Sequence, residues 1–486
     1  MSNTKKTYKW KVVIIAQYSK DWDPEYKELI DEVKESLQTL ESVRFLILTY
    51  RVPHSTFKNG AIKIEDFEYG NPNESSEDWK DSNFYDGDDI KSFFSDIVLP
   101  VNADKLVFMT WGHGAGLGYL PEKIIPPTDL NLWKPNEVFQ IAGKLKTMEL
   151  LREYQDQIIA EATVSQFINA NFSIKKITPT PALNALILKS SHLRDFASEF
   201  VQSTGIISAG DLAEWLKILN QKVNIFIASN CLCQMFEPGY SLRKVAKYMV
   251  AAQSLIPLFG FDYWSFFCSL KDDALDDRDH VLNIIKNFPS KYDEEYLIWA
   301  KAADTKFDRE VLEIASLSAN DLYYYDDLLI EINKLAELLS EIIINNTENV
   351  GIIIDAREKS MDMMPGNNAI GFIDIFHFTN NLLFYSSNSL NNEIKKVISE
   401  INKIKIKCCI AAYPQSTADW PILVPITFEK PEFLSIFHPA PARYDNQKFI
   451  YDRFYSERSR DTISREKKLK WDDYIRAFSK RFISSY

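Results

Sequence analysis

Four short stretches of this chain are apolar at nearly every position: Val12–Ala16 (VVIIA), Phe45–Tyr50 (FLILTY), Leu106–Trp111 (LVFMTW) and Val223–Ala228 (VNIFIA). A strand with one wet face alternates apolar and polar residues. A run that is apolar throughout is buried on both faces, as in a parallel sheet covered by helices. The segments between these runs carry helical spacing. From Pro24 to Leu40, the residues Leu29, Ile30, Val33, Leu37 and Leu40 share one face. "YDGDDIKSFFSDIVLP" reads as a turn and then a helix that Pro100 ends. Ala209 to Leu219 is an amphipathic helix, and Tyr240 to Lys247 a helix followed by a strand from Tyr248 to Ala252. Asn59-Gly60 predicts a hairpin within Lys58 to Tyr69. This alternation predicts an α/β fold with a mostly parallel sheet flanked by helices, whose sites lie beyond the carboxyl ends of the strands.

The remaining sequence reads as additions to that sheet. Residues about 119–203 hold prolines and polar stretches and are expected to be an insertion. After about residue 280 the texture changes. Asp326 to Ile343 repeats Leu328, Ile332, Leu335, Leu339 and Ile342 at helical spacing, and Gly371 to Phe376, Cys408 to Ala411 and Phe433 to Phe437 look like strands. We therefore expect a domain over 1–280 and a C-terminal α/β region over 281–486. A chain of 486 residues is long enough for both.

Composition excludes several classes. The net charge of −12 argues against a general nucleic-acid binder, which needs a basic surface. No stretch has the apolar length of a bilayer-spanning helix, and the first apolar run is too short for a signal-peptide core. The five cysteines are odd in number and two are adjacent, which suits a reducing compartment. Cys231-x-Cys233 has the wrong spacing for a zinc site. The expectation is a bacterial-type cytoplasmic protein without membrane or nucleic-acid partners.

Two of the four runs end in chemistry. "KLVFMTWGHGAG" stops at His113 among glycines, and "VNIFIASNCLC" stops at Cys231. A thiol becomes a good nucleophile when an imidazole takes its proton. The tetrahedral intermediate of acyl transfer needs backbone N–H donors aimed at its oxyanion. Gly112-His113-Gly114 supplies an imidazole with an unobstructed amide beside it, and Cys231 its own N–H. A cysteine after an apolar strand is also an ordinary core residue, so the pair carries weight only if the two strands are neighbours.

These residues resemble a known family. "TWGHGAG" is similar to the Trp-Asp-His-Gly-Gly-Gly signature of the clostripain family of cysteine peptidases, and "IASNCLCQMFE" to its Asp-Ala-Cys-Leu-Met-x-Met-x-Glu segment. The likeness continues through Pro257, Gly260 and Tyr263, through "IGFIDIFHF" and "LSIFHP", and into the closing "LKWDDYIRAF". The resemblance implies the caspase-like fold shared with gingipains and legumains. It also implies an endopeptidase that cleaves protein substrates through a Cys–His dyad. Carried across, Cys231 is the nucleophile, His113 the acid/base, and the amides of Gly114 and Cys231 the oxyanion hole. Glu237 matches a family glutamate and is read as structural.

The sequence departs from that pattern at informative positions. The family residue two before the nucleophile is Asp, which helps bind Arg or Lys; here it is Ser229. A hydroxyl does not pair with a guanidinium as a carboxylate does, so strict Arg specificity is no longer implied. Asp262 is a candidate to replace the charge. Gly112 stands where the family has Asp before His. Members are often matured by self-cleavage between His and Cys, and Lys144, Lys146, Arg152, Lys175 and Lys176 lie in that interval. Some members respond to calcium. "FYDGDDI" and "KDDALDDRD" are acidic but lack EF-hand spacing, so charged surface loops are expected and no cofactor. Partners are a protein or peptide substrate and an activating partner. The alternatives are a catalytically silent caspase-like scaffold that binds peptides and, ranked last, a redox thiol pair.

Overall fold

The computed structural model describes residues 6–18, 23–52, 60–72, 79–114, 116–120, 205–254, 256, 260–288, 314–345, 350–360, 363, 371–385, 388–412, 434–438 and 469–483. Among these, ten strands build one mixed sheet. Along the chain they are β1 (Tyr8–Tyr18), β2 (Val43–Arg51), β3 (Ala61–Glu68), β4 (Asn71–Pro72), β5 (Lys80–Asp81) and β6 (Ala103–Trp111). A separate short pair follows, β7 (Gly118–Tyr119) with β8 (Ile207–Ser208). The sheet resumes with β9 (Val223–Ser229), β10 (Ala246–Ala251) and β11 (Ile314–Asp321). The next strand, β12 (Phe372–Asp374), pairs outside the sheet; β13 (Lys405–Ala412) closes it, and β14 (Ser435–Phe437) is the partner of β12.

The spatial order is β13-β11-β10-β9-β6-β1-β2-β3-β4, with β5 also on β3. The five central strands β10, β9, β6, β1 and β2 are parallel, and they contain the four apolar runs. Val12 to Ala16, Leu106 to Met109 and Ile225 to Ala228 are wholly buried, as strands covered on both faces must be. The flanks are antiparallel: β3 lies against β2 on one side, and β11 then β13 against β10 on the other. The fold is α/β with a caspase-like parallel centre. Strands from beyond residue 280 continue the sheet begun by the first 280.

Helices α1 (Asp23–Ser36), α2 (Asp88–Ser92, extended by a π-helical turn Phe93–Val98) and α3 (Ala209–Leu216) occupy the expected places. α4 (Phe236–Leu242) and α5 (Tyr263–Ser269) flank the end of β10. α6 (Tyr325–Ile344), α7 (Val350–Glu358), α8 (Ile375–Tyr385), α9 (Asn388–Ile404) and α10 (Lys470–Ile483) follow. The apolar stripe expected on α6 is buried, from Leu328 through Leu339.

Three local expectations change. Lys58 and Asn59 of the expected hairpin lie outside the described residues, and no hairpin lies within residues 60–69. Ala61–Glu68 is the single strand β3, and a tight turn follows it, where Gly70 takes φ +74° before β4. The helix expected at Tyr240–Lys247 begins earlier, at Phe236, and β10 starts at Ala246. In "IGFIDIFHF" the strand stops at Asp374, whose carboxylate accepts from the N–H groups of Phe376 and His377 and so starts α8. Almost all of the expected insertion, including the five basic residues named above, lies outside the described residues.

Candidate active site

β6 and β9 are adjacent and parallel, with Trp111 opposite Ser229. His113 and Cys231 each lie two residues further on, so the two strands deliver them to the same rim. The loops then touch. A Cβ on Gly114 would lie 2.3 Å from the Cys231 carbonyl oxygen and 2.7 Å from the Asn230 Cβ. Only a residue without a side chain lets the histidine loop settle on the cysteine loop. Gly112 is constrained as well. It takes φ +132°, and a Cβ there would meet the Gln17 Cβ at 2.7 Å. A side chain at position 112 is therefore incompatible with β1 as its neighbour.

The backbone of His113 is held from three sides. Its N–H donates to Gln17 Oε1 (3.1 Å), and its carbonyl accepts from Leu120 N–H (3.0 Å) and from Asn230 Nδ2 (2.8 Å). The imidazole is partly buried, and desolvation lowers its pKa to about 4. Cys231 is 8% exposed. Burial pushes its thiol up to about 11, partly offset by hydrogen bonds from the Ile256 and Cys231 backbone. Sγ contacts both the N–H and the carbonyl of Ile256, each at 3.4 Å. At neutral pH the resting site therefore holds a neutral thiol and a neutral imidazole. The segment after β10 runs along the cysteine loop, with Leu232 N–H on Ser254 O and Gln234 N–H on Ala252 O.

Ser229 is buried, and its hydroxyl is 2.5 Å from that of Tyr263, which the Trp111 side chain also hydrogen-bonds. Gly260 closes over the pair: at φ +64°, a Cβ there would lie 1.9 Å from the Tyr263 hydroxyl. Asp262 does not join this network. Its carboxylate accepts from Ser265 N–H (2.8 Å) and caps α5. Cys233 Sγ points instead to the carbonyls of Cys231 (3.3 Å) and Gly118 (3.9 Å). Glu237 is buried in the first turn of α4.

The acidic stretches have structural employment. Asp276 and Asp279 cap one another's backbone N–H groups, Asp273 pairs with Lys9 (2.6 Å), and Asp88 with Lys91 (2.9 Å). Among the described residues, no group of three or more His, Cys, Asp or Glu could hold a metal ion.

The profile of peptidase C11, the clostripain family, matches residues 189–475. The chain belongs to the clostripain family. It is accordingly a cysteine peptidase, a hydrolase of peptide bonds. Solved structures agree on the fold of this clostripain-family chain. An inactive zymogen C11 protease from Parabacteroides distasonis is 14% identical, over 94% of this chain and 98% of that one, with TM-score 0.51. The secreted C11 cysteine protease "iotapain" from Bacteroides thetaiotaomicron is 12% identical over 84% and 88%, with TM-score 0.50. A secreted C11 cysteine protease from the same organism, in complex with an irreversible peptide inhibitor, is 13% identical over 93% and 100%, with TM-score 0.50. No curated protein matches the chain.

The sequence reading of this clostripain-family site missed Asn230, Gln17 and Thr110, which hold the histidine loop, and Ile256, which covers the sulfur. Asn230 stood within the quoted motif, but its partners depend on strand register. Gln17 was visible as the polar residue that follows the first apolar run.

Proposed function

We propose that this clostripain-family peptidase is an endopeptidase with a Cys231–His113 dyad and a preference for an uncharged residue before the scissile bond. The observation that carries the dyad is the shared rim, where Gly114 lies against the Cys231 carbonyl. In the first step His113 takes the thiol proton while the sulfur attacks the substrate carbonyl carbon. The N–H groups of Gly114 and Cys231 receive the oxyanion. The intermediate collapses to a thioester as His113 returns the proton to the leaving amine. Water, deprotonated by His113, then hydrolyses the thioester and restores the thiol.

The specificity rests on Ser229. Where the family places a carboxylate, the hydroxyl pair Ser229–Tyr263 is buried and neutral under Gly260. A guanidinium brought there would lose its hydration and meet no opposite charge. The resting sulfur also lies against the Ile256 backbone, so substrate or an activating partner has to displace that segment before attack. Free thiols at Cys231, Cys233 and Cys268 support a reducing, cytoplasmic setting for this chain. Fractionation that finds the protein outside the cell overturns that part.

The test is incubation with a denatured protein mixture and sequencing of the new termini, with C231A as the control. Cleavage that depends on Cys231 and follows uncharged residues is expected. Cleavage confined to Arg or Lys sinks the specificity. New termini that persist in C231A sink the dyad.

A further inference from the structure

Asn230, the residue before the nucleophile, is wholly buried, and its side chain spends all its hydrogen-bonding groups on the strand that carries His113. Nδ2 donates to the carbonyls of Gly112 (2.9 Å) and His113 (2.8 Å). Oδ1 accepts from the Thr110 hydroxyl (2.5 Å), itself 1% exposed. An asparagine has two amide protons and one carbonyl oxygen, and here each has a partner. Aspartate lacks the protons and would set a charge against two carbonyl oxygens. Glutamine is longer by one methylene, at a position that is wholly buried. The three partners are alternate and consecutive positions of one stretch, Thr110, Gly112 and His113, just where β6 ends and the ladder to β9 stops. Past that point the Gly112 N–H still reaches Ser229 O at 3.3 Å, and the two Asn230 amide bonds add to that single backbone link.

We infer that Asn230 is a positioning residue for the dyad: a cross-strand clamp that fixes the His113 backbone, and through it the imidazole, relative to the adjacent Cys231. Because the clamp and the nucleophile are consecutive residues, any shift of the cysteine loop carries the histidine loop with it. Gln17 completes the grip from the other neighbouring strand by accepting the His113 N–H. The inference rests on the proposed dyad, since a clamp on His113 matters only if His113 activates the sulfur.

The experiment measures the second-order rate of Cys231 alkylation by iodoacetamide at neutral pH in the intact chain. The variants are H113A, N230A, the double variant H113A/N230A, and T110V, with melting temperatures recorded alongside. H113A is expected to slow alkylation by roughly tenfold or more. N230A should slow it to a similar degree, and the double variant no further than H113A alone, because both losses act through one imidazole. T110V removes only the donor to Asn230 Oδ1 at constant shape and should slow alkylation by a smaller factor; it carries the test should N230A fail to fold. A purely structural asparagine predicts lower melting temperature with an unchanged rate, or losses that multiply in the double variant; either result overturns the clamp while leaving the dyad standing. An unchanged rate in H113A overturns the dyad itself, and the clamp with it.

Discussion

At the scale of single residues, the site is held in an uncharged state by burial, and that has a measurable sign. The folded-state pKa of His113 lies near 4, below its ordinary 6.5. Between those values the unfolded chain binds a proton that the folded chain does not. The stability owed to a neutral His113 is complete above pH 6.5 and is lost as pH falls toward 4. H113Q, neutral throughout, is expected to flatten the pH dependence of chemical denaturation over that window; an unchanged slope would contradict the burial. Cys231 works in the opposite direction. Its raised pKa favours the folded thiol, a contribution lost as pH climbs from about 9 toward 11. Gly114 has the sharpest steric requirement. G114A sets a methyl group 2.3 Å from a backbone oxygen and should cost about 1–3 kcal/mol of stability. It should also abolish turnover, measured on any peptide that the wild type cleaves. At this scale the sequence displayed His113 and Cys231, the two groups proposed as the dyad, because each closes an apolar run. It hid their supports, because a buried Asn or Gln shows its partners only once register is known.

At the scale of elements, apolar runs were read well and boundaries poorly. β1, β2, β6 and β9 each extend an expected run by a few residues at one or both ends. The misreading at "IGFIDIFHF" has a definite cause. A segment buried on every side is apolar whether it is strand or helix, so hydropathy does not separate β12 from α8. What separates them is Asp374, wholly buried, with Oδ1 on two N–H groups of α8 and Oδ2 receiving the Gln253 amide (3.1 Å). That carboxylate joins α8 to the segment following β10. D374A is expected to cost about 1–2 kcal/mol for the cap alone, and more for the acceptor that the Gln253 amide loses, its bond to Ser435 Oγ (3.2 Å) remaining. Thermal unfolding measures it, and D374N, which keeps an acceptor oxygen for the cap, should recover part of the loss.

At the scale of the whole molecule, strand order was the illegible part. The alternation of elements implied a parallel sheet, but nothing local says that β6 sits between β1 and β9, or that β11 and β13 from the far end of the chain extend the same sheet. Those neighbours are chosen by which apolar faces cover one another, a property of the assembled chain. α10 illustrates how far this reaches. Trp471, Tyr474 and Phe478 are buried, and the Tyr474 hydroxyl bonds His438 Nε2 at 2.7 Å. W471A should cost about 3–5 kcal/mol in denaturant melts although the residue is remote from His113 and Cys231 in sequence. A loss below 1 kcal/mol would mean that α10 is dispensable to the core.

The small β7–β8 pair, Gly118 opposite Ser208 and Tyr119 opposite Ile207, fastens together the two ends of an interval more than eighty residues long. Scission inside that interval would put the imidazole on one fragment and the sulfur on the other, yet the β6–β9 ladder would keep them in partnership without any covalent tie. A nicked form of this chain should travel through gel filtration as one particle and separate into two bands only under denaturing electrophoresis.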